Sequence, residues 1–475
     1  MGYSLRSTLT PYMTDMKRFI GHIAAAAAYL SAFGFFQFAY PYHLMRREQL
    51  TLFLFDGSYI SQTYRGNGFL GSFLGDFIDQ FLGYPVLGPM IIALILTAIG
   101  FTAYRICRKF IGLWPSLAVA AVIFGWSFMR ETGNMYITRY TIVVLGYLLL
   151  VLAALQFRKY WMKGLAAVFF LAFGVWSLGS PAREYYGDLW STPNFDYDTL
   201  IGMDVYTARE DWDKVLKIGR KDPHFTEAAF CYNLAHAKKG DLAEELFNYT
   251  QNHANGLFLW VTEETSAFNN GMAGEVWYQI GDMTLAEQSA MVAMQASVKH
   301  TGTRFIKRLA EINLILGEDA AALKHLNMLS KTLRYRGWAK RFMVEKLDAE
   351  AQAWIDARHE NIPTRDFVYA SNDMRPVLLA VLEANPDNFL AREYLLAYDL
   401  LCFEVDTFME DYSSYGLKGR LFEEGISTWL NMKNQYSEAA ALSKGISQET
   451  VKRLGRFYNN PGLYKNTYWY YYMYK

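Results

Sequence analysis

Cysteine is scarce: three in 475 residues, Cys107, Cys231 and Cys402. An odd, widely spaced set gives neither a disulfide framework nor a zinc motif. Nothing in the spacing requires Cys231 and Cys402 to pair, so buried free thiols are the expectation. Eight histidines are scattered without an HExxH. The second half of the chain also lacks GxSxG, a P-loop and a dinucleotide fingerprint, so the familiar signatures of hydrolases, nucleotide-binding enzymes and dehydrogenases are missing there. No metal site or cofactor is expected from these residues.

Net charge is absent too, but only in sum. Residues 1–183 carry 15 Lys+Arg against 6 Asp+Glu, and the remainder 31 against 40. A basic first part suits anionic lipid headgroups, so membrane lipids are an expected partner. An acidic second part excludes nucleic acid, whose phosphates require clustered Lys and Arg.

Five stretches contain no Asp, Glu, Lys or Arg: Phe19–Tyr42, Phe81–Tyr104, Phe110–Met129, Tyr140–Phe157 and Gly164–Ala182. A helix rising about 1.5 Å per residue needs roughly 20 residues to cross about 30 Å of hydrocarbon. Five such runs without a polar stripe predict a transmembrane domain over residues 1–182. With the N-terminus in the cytoplasm, the inner segments hold Arg6, Lys17, Arg18, Arg105, Arg108, Lys109, Arg158, Lys159 and Lys163. The outer loops hold Arg46, Arg47, Arg65, Arg130, Arg139 and Arg183. The excess inside sets the expected orientation, and five crossings put residues 183–475 outside the cytoplasm. In a Gram-negative bacterium this is a multi-pass inner-membrane protein with a periplasmic C-terminal domain.

The first outer loop is unusual. In Phe69–Leu82, Phe69, Leu70, Phe73, Leu74, Phe77, Ile78, Phe81 and Leu82 share one helical face, and Gly75, Asp76, Asp79 and Gln80 the other. This pattern predicts an amphipathic helix lying flat at the membrane interface. Around it stand Arg46, Arg47, Glu48, Asp56 and Arg65, and the second outer loop adds Arg130, Glu131 and Arg139. Glu48, Asp56 and Glu131 are the candidate catalytic carboxylates, as general base or as ligands of a divalent cation. Arg46, Arg47, Arg65 and Arg130 are the candidate contacts to phosphate or lipid headgroups. The plainer reading of the same residues is a set of ion pairs at the headgroup boundary.

Residues 183–200 read as a linker. Beyond it, helix pairs recur around turn glycines Gly240, Gly281 and Gly317, spaced 41 and 36 residues apart. Glycine accepts the positive φ that ends a helix. The stretch resembles degenerate tetratricopeptide-type repeats over residues 201–475, with Pro223 closing an early helix. The expected fold class is therefore all-α: a bundle of about five transmembrane helices plus an α-helical superhelix. Such repeats commonly bind a protein partner on a concave face. The aromatic end, Tyr468–Lys475, is expected to dock rather than hang free.

REQLTLFLFDGSY (47–59), NGFLGSFLGDFIDQFLG (67–83), CYNLAHAKKGDLAEELFNYTQNHANGLF (231–258) and KRLAEINLILG (307–317) resemble an uncharacterised family of membrane proteins from Bacteroides-type bacteria. The resemblance reaches both halves and implies no assigned activity. A weaker likeness concerns polytopic glycosyltransferases that use lipid-phosphate sugars. It implies an acidic residue after the first span, at Glu48 or Asp56, and Glu131 in the next outer loop. Those enzymes build their site on more than five spans, and this chain departs from them there. The leading functional expectation is a scaffold that presents periplasmic repeats to a protein partner in envelope assembly or export. The alternative is a divergent glycosyltransferase-like enzyme acting on a lipid-linked sugar.

Overall fold

The computed structural model describes residues 5–133, 137–179, 192–220, 225–260, 265–343, 347–363 and 373–475, the side chains of 5–18, 137 and 298 excepted. Among the described residues every regular element is helical, so the fold is all-α. Pro223 and most of the expected linker lie outside the described residues. The chain forms two compact units, residues 1–198 with 331–336 and residues 199–330 with 337–475.

The first unit holds α1 (Leu5–Gly34), α2 (Tyr42–Leu50), α3 (Gly57–Thr63), α4 (Phe69–Leu82), α5 (Leu87–Cys107), α6 (Leu113–Glu131), α7 (Ile137–Ala154) and α8 (Tyr160–Ser177). A π-helical turn, Phe35–Ala39, prolongs α1. Phe19–Ala39, α5, α6 and α8 are long and apolar enough to cross a membrane, and Thr138–Ala154 of α7 is a shorter apolar helix. This is the architecture of a membrane protein. Helix α5 is its centre: Ile92, Ala93 and Leu96 pack with Ala32, Phe36, Leu44 and Leu82, and Ile95 and Ile99 with Ile142. Gly100 lets α6 approach, since a Cβ there would stand 3.1 Å from Phe124 Cβ. The outer helices show apolar faces: Leu165, Val168, Phe169 and Leu171 of α8 are 60–69% exposed. Water would penalise such a surface, whereas lipid tails match it.

Helix α4 has the predicted bounds, and it packs into the unit along its polar face. Gly71, Gly75, Asp76, Asp79 and Gln80 are buried, and the phenylalanines are half-buried on the outside. The two glycines allow close contact, since a Cβ on Gly75 would lie 2.8 Å from Arg139 Cα at the start of α7. The polar face therefore turns into the protein, where it meets the side chains described below.

The second unit opens on α9 (Phe195–Thr207), whose first residues replace the end of the expected linker. Then come α10 (Trp212–Gly219), α11 (Thr226–Lys239), α12 (Leu242–Glu245), α13 (Ala267–Ile280) and α14 (Met283–Ala296). Next are α15 (Thr303–Leu316), α16 (Asp319–Leu329), α17 (Arg336–Arg341), α18 (Ala349–His359), α19 (Arg375–Ala384) and α20 (Phe389–Leu401). The last are α21 (Val405–Tyr415), α22 (Arg420–Met432), α23 (Glu438–Ser443), α24 (Gln448–Asn459) and α25 (Tyr468–Tyr474). The three turn glycines end α11, α13 and α15 with φ of 79°, 116° and 75°. Asp282 then starts α14 by accepting from Leu285 N at 2.9 Å, which satisfies an orphan donor of the first turn.

Helices α11, α13, α15 and α20 are buried on almost every side. Helix α20 also folds back onto pairs far earlier in sequence: Asn388 Nδ2 donates to Ile280 O at 2.8 Å, and the Tyr394 ring stands 5.5 Å from that of Phe258. Cys231 is buried and none of the three cysteines is in a disulfide. The aromatic end is docked. Tyr468 N donates to Glu424 Oε2 at 2.7 Å, Trp469 Nε1 to Ser427 Oγ at 2.8 Å, and Tyr471 OH to Leu401 O at 3.0 Å.

Candidate functional site

The densest polar cluster of the first unit lies where α2, α4, α6 and α7 meet. Arg47 and Glu131 have no exposed side-chain surface. Arg47 Nη1 lies 2.5 Å from Glu131 Oε2 and 3.1 Å from Thr138 Oγ1, and Nη2 donates to Glu131 O at 2.8 Å. Thr141 Oγ1 donates to the other Glu131 oxygen. Beside this pair, Asp79 Oδ2 accepts from Thr51 Oγ1 and Gln80 Nε2 donates to Thr51 O, both at 3.2 Å. Tyr64 OH donates to Asp76 Oδ2 at 2.9 Å. Burial pushes the Asp79 carboxyl up to about 7, against the opposing pull of Thr138 and Arg47.

The other candidates sit in separate pairs. Glu48 is fully buried, 3.8 Å from Arg334 Nε, and Arg334 Nη1 donates to Gly83 O at 2.9 Å. Asp56 caps α3 by accepting from Tyr59 N at 3.0 Å and pairs with Lys331 Nζ at 2.8 Å. Lys331, Ser58 and the Tyr59 N–H hold its carboxyl well below the usual range. Arg46 is buried with Nη1 donating to Tyr197 OH at 3.1 Å, and Arg130 is buried over the Tyr140 ring at 5.3 Å. Arg65 is exposed and its Nε donates to Ser61 O. The structure thus joins Arg47 to Glu131, Asp56 to Lys331 and Glu48 to Arg334. The sequence reading missed Lys331 and Arg334, whose distance along the chain leaves no local signal. It also passed over Gly66, Gly68 and Gly71, which spell GxGxxG. No strand precedes them among the described residues, and a Cβ on Gly68 would stand 3.2 Å from Gly179 Cα, so close packing explains this glycine. Among the described residues no cluster of three or more His, Cys, Asp or Glu is arranged to hold a metal ion.

The second unit has its own buried charges. Arg304 grips Asp204 at 2.5 and 2.9 Å and reaches Glu275 Oε1 at 3.0 Å. Arg308 takes the second Glu275 oxygen at 2.5 Å and Glu311 at 3.0 Å, and lies 3.6 Å from the centre of the Tyr278 ring. Arg304, Arg308 and Glu311 follow an i, i+4, i+7 spacing, so they share one face of α15. Their partners come from α9 and α13, which the ladder of alternating charge ties together.

Three buried carboxyls of the same unit are raised, each chiefly by burial: Glu424 to about 7, Glu393 to about 8 and Asp399 to about 9. A carboxyl raised on folding binds its proton more tightly in the folded state. Its stabilising effect is full below the ordinary carboxylate range and fades as pH climbs to the folded value. Acidification from pH 9 to 6 should therefore stabilise this unit. Melting of the detergent-solubilised protein, followed by tryptophan fluorescence, should show the midpoint rising over that interval. A flat or falling midpoint would contradict the assignment.

No curated protein and no solved structure matches the chain. Residues 16–186 and 181–475 match one family, and with nearly its whole length covered the protein belongs to that family, a family of unknown function (DUF6057).

Proposed function

We propose that this is a multi-pass inner-membrane protein that presents tetratricopeptide-like helix pairs on the periplasmic side to a protein partner, in envelope assembly or export. The observation that carries this reading is the state of the outer-loop carboxylates. Glu131 has both oxygens engaged and no exposed surface, Glu48 is fully buried, and Asp56 is held by a lysine and a helix end. Glu131 and Glu48, buried in pairs, and Asp56, engaged at a helix end, act as structure rather than as a base for a lipid-linked sugar. Partner binding then falls to the second unit, whose described helices include none long and apolar enough to enter a membrane.

A parity argument supports the sidedness. Residues 331–336 join the loop between α1 and α5: Phe55 N donates to Lys331 O at 2.8 Å, and Arg334 reaches Gly83 O. Loop and segment therefore share one side of the membrane. The chain between them contains α5, α6, α7 and α8, and only an even number of crossings returns it to that side. This supports a reading in which the shorter α7 crosses with the other three.

Affinity capture of the full chain from gently solubilised native membranes should recover a stoichiometric protein partner, and recovery of none opposes the proposal. Reporters fused after Arg158 and at the C-terminus should read cytoplasm and periplasm respectively. Asp56→Asn should leave both protein level and envelope glycan unchanged. Loss of glycan at normal protein level would favour the transferase alternative instead.

A further inference from the structure

The two ends of the membrane-spanning bundle carry charge in different ways. At one end basic and acidic side chains are interleaved: Arg47 pairs with Glu131 and Arg334 with Glu48, with Asp76 and Asp79 beside them. At the other end lie the α5–α6 and α7–α8 turns, which Lys109 joins by donating from Nζ to Leu155 O at 3.2 Å. These turns carry Arg105, Arg108, Lys109, Arg158, Lys159 and Lys163, and neither contains Asp or Glu. Tyr160 and Trp161 stand beside them, 88% and 63% exposed, as aromatic residues do at the headgroup level.

A cavity of about 440 Å³ runs between α7 and α8 directly beneath this collar. Its walls include Tyr147, Leu150, Val151, Ala167 and Phe170, and its one charged lining residue is Lys163. Leu155, whose carbonyl takes the Lys109 bond, also lines it. Two lysines therefore stand at one mouth of an otherwise apolar groove. Small residues give the groove its depth: a Cβ added to Gly164 would meet no atom within 4 Å.

We propose that the α7–α8 groove holds an acyl chain of an anionic phospholipid, with the lipid phosphate between Lys163 and Lys109. The groove opens on the outer surface of helices that lie in hydrocarbon, so a chain of the same chemistry fills it without desolvation cost. The cations at one mouth complement a headgroup of net negative charge; in a zwitterionic lipid the ammonium offsets the phosphate, and an apolar helix of a partner offers no anion at all. At the opposite end Arg47 is consumed by Glu131, Arg46 donates to Tyr197 OH and Arg130 lies over the Tyr140 ring, and none of the three lines this groove. The cytoplasmic orientation of this collar also faces the leaflet richest in anionic lipid.

Native mass spectrometry of the full chain in mild detergent, with phosphatidylglycerol and phosphatidylcholine of equal chain length, tests the assignment. Phosphatidylglycerol should be retained at least about tenfold better, the size expected when two lysines each add a modest headgroup attraction. Lys109→Gln with Lys163→Gln should bring the ratio near one and leave retention of phosphatidylcholine unchanged. Gly164→Leu, which adds bulk to the groove from a position where a Cβ meets no atom within 4 Å, should reduce retention of both lipids, and Ala167→Leu gives the same reading should that variant fold poorly. Equal retention of the two lipids by the natural sequence overturns the proposal. So does unchanged retention in a folded groove-filling variant, or displacement of lipid by a second copy of the chain.

Discussion

Replacing Glu131 with alanine is expected to destabilise the protein by about 3–5 kcal/mol, because it leaves the Arg47 guanidinium buried without its carboxylate. Arg47 has no exposed side-chain surface, so water cannot solvate the charge in place of the lost partner. Thr138 Oγ1 is a neutral acceptor and does not balance it. Arg47→Ala should cost a similar amount for the opposite reason, since Glu131 then keeps only the Thr141 hydroxyl among its side-chain partners named above. The double variant Arg47→Met with Glu131→Met should recover much of the loss, because removing both charges removes the desolvation problem with them. Thermal melting of the three purified variants in one detergent, with membrane accumulation as a second readout, checks this. Single variants that melt like the natural protein would show that the pair carries no stability. A double variant as unstable as the singles would show that the site needs the charges for more than each other.

In the second unit the largest loss is expected from Glu275→Ala, at roughly 3–4 kcal/mol. Glu275 is the one carboxylate that bridges Arg304 and Arg308, and its side chain is 3% exposed. Its removal splits the ladder into two buried pairs, Arg304 with Asp204 and Arg308 with Glu311, and leaves each arginine short of one charged acceptor. Glu275→Gln keeps the shape and one acceptor oxygen, so it should cost less than alanine and still more than a surface change. Limited proteolysis of the detergent-solubilised full chain reads this out, with faster cleavage within residues 199–330 expected for the alanine variant. Equal rates for all three proteins would place the ladder outside the cooperative core of the unit.

Helix α4 shows where a sequence stops being informative. Its ends and its two faces were legible because the 3.6-residue period is a local property. Which face turns inward was not legible. Apolar outside and polar inside is the wrong order in water, yet it is reasonable where lipid meets the protein, and the period carries no label for the surrounding solvent. The turns at Gly240, Gly281 and Gly317 were legible for the same local reason, since a positive φ is a demand on one residue. The five apolar runs likewise fell on helices, because hydrophobic length is written in consecutive residues.

Pairings across the chain were not legible. Arg47 and Glu131 lie 84 residues apart, and Lys331 and Asp56 lie 275 apart. The sequence placed Arg47 and Glu131 among candidates for lipid-phosphate chemistry, because arginines and carboxylates at a membrane edge are compatible with a site and with ion pairs alike. Composition and periodicity by themselves determined that this chain is helical and that its first third carries helices apolar enough for hydrocarbon. Only the tertiary structure decided that Arg47 and Glu131 are consumed in a buried pair, that Asp56 and Glu48 find Lys331 and Arg334, and that the turns at one bundle end gather six basic residues around an apolar groove. Charge pairing is fixed by distances in space, and a linear chain specifies those distances only once it has folded.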